Sequence, residues 1–282
     1  MKKILVLTDF SDNAYHALHY STQLYKGMAS TFIIVNAYTE LTPVKTKRIA
    51  KKGGHALLRH LKDESEEGLL ETCHKIKRDV GETTQRFKVL SIRGRLGMVV
   101  NTIIQEEKID LVVMGNKGKT SSSLIFMGSN TLRIVHTQKK YPILTIPLDI
   151  DFKAPKEIAF PTNYRYPYTQ ALLLPLEEIQ RISDATIRIL HINGREPLKP
   201  TETLNKAALL DRLQQRQYSV HEVPHFTDSA GIMAIFVEEA HIDLLVLVQH
   251  PRSILERWIR EPIFKKISRA IKVPFLILPY KD

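Results

Sequence analysis

Several features are scarce in this 282-residue chain, and each scarcity excludes a class of protein. The single cysteine, Cys73, excludes an internal disulfide framework and favours a reducing compartment, so we expect a cytoplasmic protein. No run of about 18 consecutive apolar residues occurs, so the sequence predicts no membrane span. The lysine-led start MKKILVLTDF has only a short apolar run before Asp9, so we do not expect a signal peptide.

Aromatic residues make up only 7% of the chain, although its net charge is +11. A basic excess of this kind suits a nucleotide or a nucleic acid as partner. However, the basic cluster at residues 45–52 is followed by acidic residues at 63–67 within the same predicted helix. Nucleic-acid-binding surfaces interleave basic residues with aromatic stacking platforms. We therefore interpret the cluster as a solvated helix face and regard nucleic-acid binding as the less favoured hypothesis.

Apolar runs and amphipathic stretches alternate along the chain. The strand-like runs of the first half are KKILVLTDF, TFIIVNAY, RFKVLSIRG, IDLVVMG and YPILTIPL, with helical patterns between them. The small or apolar face of the first predicted helix is formed by Ala14, Ala17, Leu18, Ser21 and Leu24. Strands that alternate with helices predict an α/β fold with a parallel sheet covered on both faces.

The second half repeats this order. IDLVVM at residue 109 matches IDLLVLV at 242, and YPILTIP at 141 matches VPFLILP at 273. A repeat of about 140 residues indicates one domain that was duplicated and then diverged. Residues 153–156 indicate the junction, so we predict one domain at 1–150 and a second at 151–282.

The segment GNKGKTSSSLIFMGSN, which starts at Gly115, contains the GKT tripeptide that also ends a P-loop. A P-loop requires a glycine where this chain has Val113, and Val113 belongs to an apolar strand. The spacing therefore argues against a P-loop and requires another explanation.

Ligands of open parallel sheets lie beyond the carboxyl ends of the strands, near the point where the strand order reverses. In the first half, residues 8–10, residues 36–38 and Gly115 occupy those ends. Gly115 and Gly118 remove side chains where the chain turns, so backbone amides can approach an anion. The Gly-Ser pair at 128–129 precedes the predicted helix TLRIVHT, whose N-terminal amides favour phosphate. Together these residues predict one ligand crevice.

The spacing of glycine, two residues, glycine, nine residues and Gly-Ser, from Gly115 to Ser129, resembles the nucleotide signature of the universal stress protein family. The TDFS that ends the opening strand and the PIL of the closing strand strengthen the resemblance. It covers the whole chain as a tandem pair, but the signature occurs only in the first half. It implies two Rossmann-like domains of the adenine nucleotide alpha hydrolase-like type. Each would have a five-stranded parallel sheet, flanked by helices, in the order 3-2-1-4-5.

The resemblance further implies that the ligand is ATP. We expect Mg²⁺ or Mn²⁺ to accompany the phosphates, because the loop neutralises only part of their charge. Adenine would lie near Asp9 and the backbone of Ala37, and ribose near Gly115. The residues implied to hold the nucleotide are Thr8, Asp9, Ala37, Met114, Gly115, Gly118, Gly128, Ser129 and Asn130.

Other interpretations stay open. Asp9 also suits an N-cap of the following helix, although Ser11 and Asp12 compete for that position. Beside an ATP-binding stress or signalling protein, a slow ATPase or phosphotransferase fits the ligand. Efficient hydrolysis needs a placed base and charge clamps, whereas the signature supplies mostly backbone amides. We therefore favour binding over turnover, and we assign no catalytic residue and no metal-binding side chain.

The second half is expected to have lost the nucleotide site. Alignment of the matching strands places Val248 opposite Gly115, and Asn163 replaces Asp9. The other signature positions are matched by Pro251, Arg260 and Glu261. Valine obstructs backbone approach, proline lacks an amide hydrogen, and glutamate repels phosphate. The resemblance implies that the halves pair their last strands as an intramolecular pseudo-dimer. It leaves open a further homodimer and the identity of any protein partner.

Overall fold

The computed structural model describes residues 1–39, 54–117, 127–193, 197–225, 228–249 and 272–280, in which strands and helices alternate as predicted. The strands are β1 Lys2–Leu7, β2 Ser30–Tyr38, β3 Arg86–Arg93, β4 Leu111–Gly115, β5 Ile143–Ile146, β6 Glu157–Thr162, β7 Thr186–Asn193, β8 Tyr218–Pro224, β9 Leu244–Gln249 and β10 Phe275–Pro279. The helices are α1 Asp12–Leu24, α2 Gly54–Val80, α3 Leu96–Glu107, α4 Ser129–Thr137, α5 Gln170–Ser183, α6 Pro200–Leu213 and α7 Ser229–Glu239. None of these described helices is long and apolar enough to cross a membrane.

The chain forms two compact units whose boundary in sequence lies between Tyr141 and Pro142. In the first unit, β1 pairs in parallel with β2 and β4, and β3 pairs in parallel with β2. In the second unit, β6 pairs in parallel with β7 and β9, β8 with β7, and β10 with β9. The order β3-β2-β1-β4-β5 in the first half and β8-β7-β6-β9-β10 in the second confirms the predicted order 3-2-1-4-5.

Strand β5 belongs to the second unit, where it pairs antiparallel with β10. The register sets Phe275 opposite Thr145 and Ile277 opposite Ile143. The sequence assigns β5 to the first repeat, because it follows the first set of four strands. The domain boundary between residues 150 and 151 stays a prediction.

Burial follows the predicted patterns. Residues 4–7 of β1 and all of β4 are buried, as expected for parallel strands that are covered on both faces. The predicted face of α1 is buried at every position. Helix α6 was not predicted, because only Leu209 and Leu213 on it are buried and its apolar pattern is weak. The start of α6 is marked by Pro200, its first residue, and by Glu202, which accepts a hydrogen bond from the Lys199 amide at 3.0 Å.

Helix α1 approaches the carboxyl end of β4 closely at Gly115. A Cβ atom on Gly115 would lie 2.7 Å from Cγ and Oδ1 of Asn13 and 2.9 Å from the main-chain oxygen of Asn13. A side chain cannot be accommodated at such distances without displacing α1 or β4. Glycine at this position therefore sets how near α1 lies to the end of β4.

We expect Gly115→Ala to destabilise the chain by about 1–3 kcal/mol, because the added methyl group overpacks this contact. In an Asn13→Ala background the cost is expected to be smaller, since only the main-chain oxygen of Asn13 then remains close. Urea unfolding of the wild type, both single variants and the double variant measures this coupling. Gly97→Ala is the control, because nothing lies within 4 Å of its Cβ position on α3. If Gly115→Ala lowers the free energy of unfolding equally in the wild type and in Asn13→Ala, the Asn13 side chain does not limit the space at residue 115.

Candidate functional site

The side chains of Thr8 and Asp9 build the turn after β1. The Phe10 amide donates to Thr8 Oγ1 at 3.0 Å, and the Ser11 amide donates to Asp9 Oδ1 at 3.1 Å. Phe10 has a positive φ of 60°, which is uncommon for a bulky residue and is held here by the turn. The bond from the Ser11 amide holds the Asp9 carboxyl group at the carboxyl end of β1.

Helix α1 is capped by Ser11 and not by Asp9. Ser11 Oγ accepts a hydrogen bond from the Ala14 amide at 3.2 Å, and Asp12 is the first residue of the helix. The competition for the N-cap position is therefore won by Ser11. Asp9 is half-buried and lies at the strand end.

Strand β2 is tied to the same turn. Asn36 Nδ2 donates to the main-chain oxygen of Thr8 at 2.8 Å, and the Thr8 amide donates to the Val35 oxygen at 2.9 Å. Ala37 follows Asn36 along β2 and is half-buried. The bonds to Thr8 therefore set the end of β2, with Ala37, beside the turn that contains Asp9.

On the other side of β1, the exit of β4 holds the N-terminus of α4. Thr131 Oγ1 donates to the Gly115 oxygen at 3.0 Å, and the Gly128 amide donates to the Asn116 oxygen at 2.7 Å. Both bonds connect α4 to residues that are adjacent at the end of β4. The strand order reverses between β1 and β4, so α4 begins next to the switch point of the sheet.

Gly128 is the N-cap residue of α4, with φ −66° and ψ 161°, and no described side chain caps the helix. The first amides of a helix have no partner within the helix. Ser129 and Asn130, which begin α4, are exposed. Because the Gly128 amide is bonded to Asn116, an anion at this end would bind the amides of Ser129 and Asn130 instead.

The structure thus brings the sequence-selected residues to the ends of β1, β2 and β4 and to the start of α4. Met114 is buried within β4, and Gly118 lies outside the described residues. Asn116, which is also buried, has an Oδ1 atom without a hydrogen-bond partner in the described part of the chain. The described residues include no group of three or more His, Cys, Asp or Glu side chains that could hold a metal ion.

Sequence reasoning missed Asn13 and Thr131, which hold these elements together. The Lys117 amide donates to Asn13 Oδ1 at 2.8 Å, and Thr131 makes the bond to Gly115. Both side chains are buried although they are polar. A polar residue on the buried side of a short helix was the available signal, because buried polar groups need partners.

The second unit repeats the turn bond for bond at the end of β6. The Tyr164 amide donates to Thr162 Oγ1 at 3.0 Å, and the Arg165 amide donates to Asn163 Oδ1 at 3.1 Å. Tyr164 has a φ of 54°, in the same region as Phe10. Asn163 therefore performs the same turn function as Asp9, and the loss of the carboxylate leaves the backbone unchanged.

The side chains around that second turn differ. The pairing of β6 with β9 has the same register as that of β1 with β4, so Val248 occupies the position that Gly115 has in β4. The counterparts predicted for the other signature residues, Pro251, Arg260 and Glu261, lie outside the described residues. A branched side chain thus replaces glycine at the end of β9.

Aromatic side chains occupy the end of β6. Tyr164 is fully buried, and its ring centroid lies 4.8 Å from that of His191. Tyr168 is also buried, and its hydroxyl group bonds to the hydroxyl group of Thr162. Burial raises the pKa of Tyr168 to about 12, and burial raises the pKa of Tyr164 as well. Both phenols therefore remain protonated and uncharged at neutral pH.

Comparisons with known proteins agree with this architecture. The model of the universal stress protein family matches residues 1–147. A curated universal stress protein of Methanocaldococcus jannaschii is 25% identical over 154 residues, with 51% of this chain and 94% of that protein covered.

Solved structures also resemble the whole chain. A universal stress protein of Archaeoglobus fulgidus has a TM-score of 0.68 at 16% identity, with 98% of this chain and 97% of that one covered. A protein of unknown function from Pseudomonas aeruginosa has a TM-score of 0.58 at 10% identity, with 99% and 92% covered. At such identities these structures establish the fold alone. The family model, however, matches more than half of the sequence, and the chain belongs to the universal stress protein family.

Proposed function

We propose that the chain is a cytoplasmic, ATP-binding universal stress protein that acts in stress response or signalling. In this proposal the domain at 1–150 holds the nucleotide, and the domain at 151–282 is a structural partner that does not bind it. The observation that carries the proposal is the start of α4, which is bonded to the end of β4 through Gly128 and Asn116 and has no described side-chain cap. A helix N-terminus with open amides favours phosphate.

The phosphates would bind the amides of Ser129 and Asn130, with glycine at 118 and 128 leaving space for their approach. The positive end of the α4 dipole offsets only part of the phosphate charge. Mg²⁺ or Mn²⁺ would therefore accompany the phosphates as part of the ligand, held mainly by phosphate oxygens and water.

The adenosine part of ATP would lie over the ends of β1, β2 and β4. Asp9 uses Oδ1 for the Ser11 amide, but a carboxylate has several lone pairs and can accept a further bond from the adenine amino group. Thr8 and the backbone of Ala37 would flank the base. Met114 and Gly115 would lie under the ribose, next to the switch point of the sheet.

The second domain is proposed not to bind ATP because its side chains fill the equivalent space. Val248 replaces Gly115 in register, and the buried rings of Tyr164 and Tyr168 lie at the end of β6. The repeated turn argues that this domain descends from a copy of the first. We also propose that the two domains form an intramolecular pseudo-dimer, and the repetition of one strand order in both halves of the chain supports this proposal.

Gly128→Asp tests the phosphate position. Aspartate is a favourable N-cap residue, so α4 should remain folded, but its carboxylate would bond the first amides of the helix and repel phosphate. We expect ATP affinity in calorimetric titration to fall at least about tenfold, which corresponds to 1.4 kcal/mol. Gly97→Asp is the matched control, because it adds the same charge to the first turn of α3 in open space. Undiminished ATP affinity in the folded Gly128→Asp variant would show that the phosphates do not bind at the start of α4.

A second titration tests the division between domains. We expect one equivalent of ATP per chain for the wild type and also for Asn163→Asp. That substitution restores the carboxylate of the first domain, but it does not remove the Val248 and Tyr164 side chains. Two equivalents in the wild type would show that the second domain binds ATP. A second equivalent in Asn163→Asp alone would show that the carboxylate, and not the filled space, separates the two domains.

A further inference from the structure

We infer that Asn13 is a positioning residue for the phosphate side of this site and that it sets the preference of the site for ATP over adenosine. The inference rests on the proposed function, because it assumes that phosphate binds at the start of α4. It concerns a side chain of α1, which contributes no residue of the glycine signature.

One peptide group, between Asn116 and Lys117, connects two helices. Its carbonyl oxygen accepts the Gly128 amide at 2.7 Å, and its N–H donates to Asn13 Oδ1 at 2.8 Å. Because a peptide group is planar, the bond at its nitrogen fixes the direction in which its oxygen points. Asn13 therefore orients the carbonyl group that holds the N-cap residue of α4.

Asn13 is well suited to hold that group firmly. Its side chain is only 4% exposed, and its Cγ and Oδ1 atoms pack against Gly115 at distances that leave no space for a methyl group. Its replacement by an apolar side chain would leave the partly buried Lys117 N–H without this acceptor, which is unfavourable. The same carbonyl group would then be free to tilt away from Gly128.

The adenosine side depends on different bonds. The turn that presents Asp9 is held by Thr8 Oγ1 and by Asp9 Oδ1 itself, without the Asn13 side chain. Loss of Asn13 should consequently disturb the amides of Ser129 and Asn130 more than the turn.

The test compares binding of ATP and of adenosine to the full chain. For Asn13→Ala we expect ATP affinity to fall about tenfold, the effect of one lost hydrogen bond, and adenosine affinity to stay within about twofold. Faster hydrogen exchange of the Lys117 and Gly128 amides should accompany the change. Asn13→Thr, which removes less volume but cannot keep Oδ1 in place, should show the same selective loss and serves if Asn13→Ala fails to fold.

Gln85→Ala is the matched control. Gln85 is also buried, and its amide nitrogen donates to the main-chain oxygens of Thr22 and Tyr25 at 2.9 and 3.1 Å, before the start of β3. Its loss should lower stability but leave the ratio of the two affinities unchanged.

The outcomes separate the two claims. A wild-type chain that binds no ATP overturns the proposed function, and the inference with it. A wild-type chain that binds ATP, together with Asn13 variants that lose ATP and adenosine equally or lose neither, overturns the inference alone.

Discussion

The candidate site depends on the close approach of α1 to the carboxyl end of β4. Glycine at 115 permits this approach, and Asn13 fills the space opposite it. Through this contact the turn after β1, which leads into α1, lies beside the residues that anchor α4. Two features separated by more than a hundred residues in sequence, an acidic turn and a helix N-terminus, are thereby brought to one end of one sheet. The close approach of α1 to β4 therefore needs both the absence of a side chain at Gly115 and the Asn13 side chain, whose oxygen accepts the Lys117 amide.

The two domains have the same backbone conformation in the turn after their first strands, but the side chains around that turn differ. Each has a residue with positive φ in the turn after its first strand, and each turn is closed by a hydroxyl group and by an Asp or Asn side chain. Asn36 and His191 occupy matching places, since each bonds the main-chain oxygen of the threonine in that turn. The two domains differ in side-chain volume and burial. Val248 occupies the position of Gly115, and Tyr164, in the position of the half-buried Phe10, is fully buried. Binding can be lost in this way while the fold of the domain is preserved.

The strands and the turns of the candidate site could be predicted from the sequence, because their signals are local. Runs of Val, Ile and Leu between helical patterns predicted the strands, and the family resemblance implied their order. Glycines after β4 and before α4 marked the chain turns. The weakly patterned α6 was missed because few of its residues are buried. The polar position of Asn13 on the buried side of α1 was a signal, but its partner at Lys117 could not be identified from sequence, because tertiary folding alone brings the two residues together. Sequence likewise could not show that the Gly128 amide bonds the Asn116 oxygen, or that Asn163 and Asp9 accept the same turn hydrogen bond, because these bonds are visible only in the folded structure.

In the proposed site, phosphate binds the first amides of α4 while adenosine binds the turn after β1. Amide chemical shifts, measured by ¹⁵N NMR during titration with ATP and separately with adenosine, distinguish the two positions. We expect the Ser129 and Asn130 amides to shift with ATP and not with adenosine, whereas the amides around Asp9 shift with both. Saturation with ATP that leaves the Ser129 and Asn130 amides unshifted would rule out phosphate binding at the start of α4.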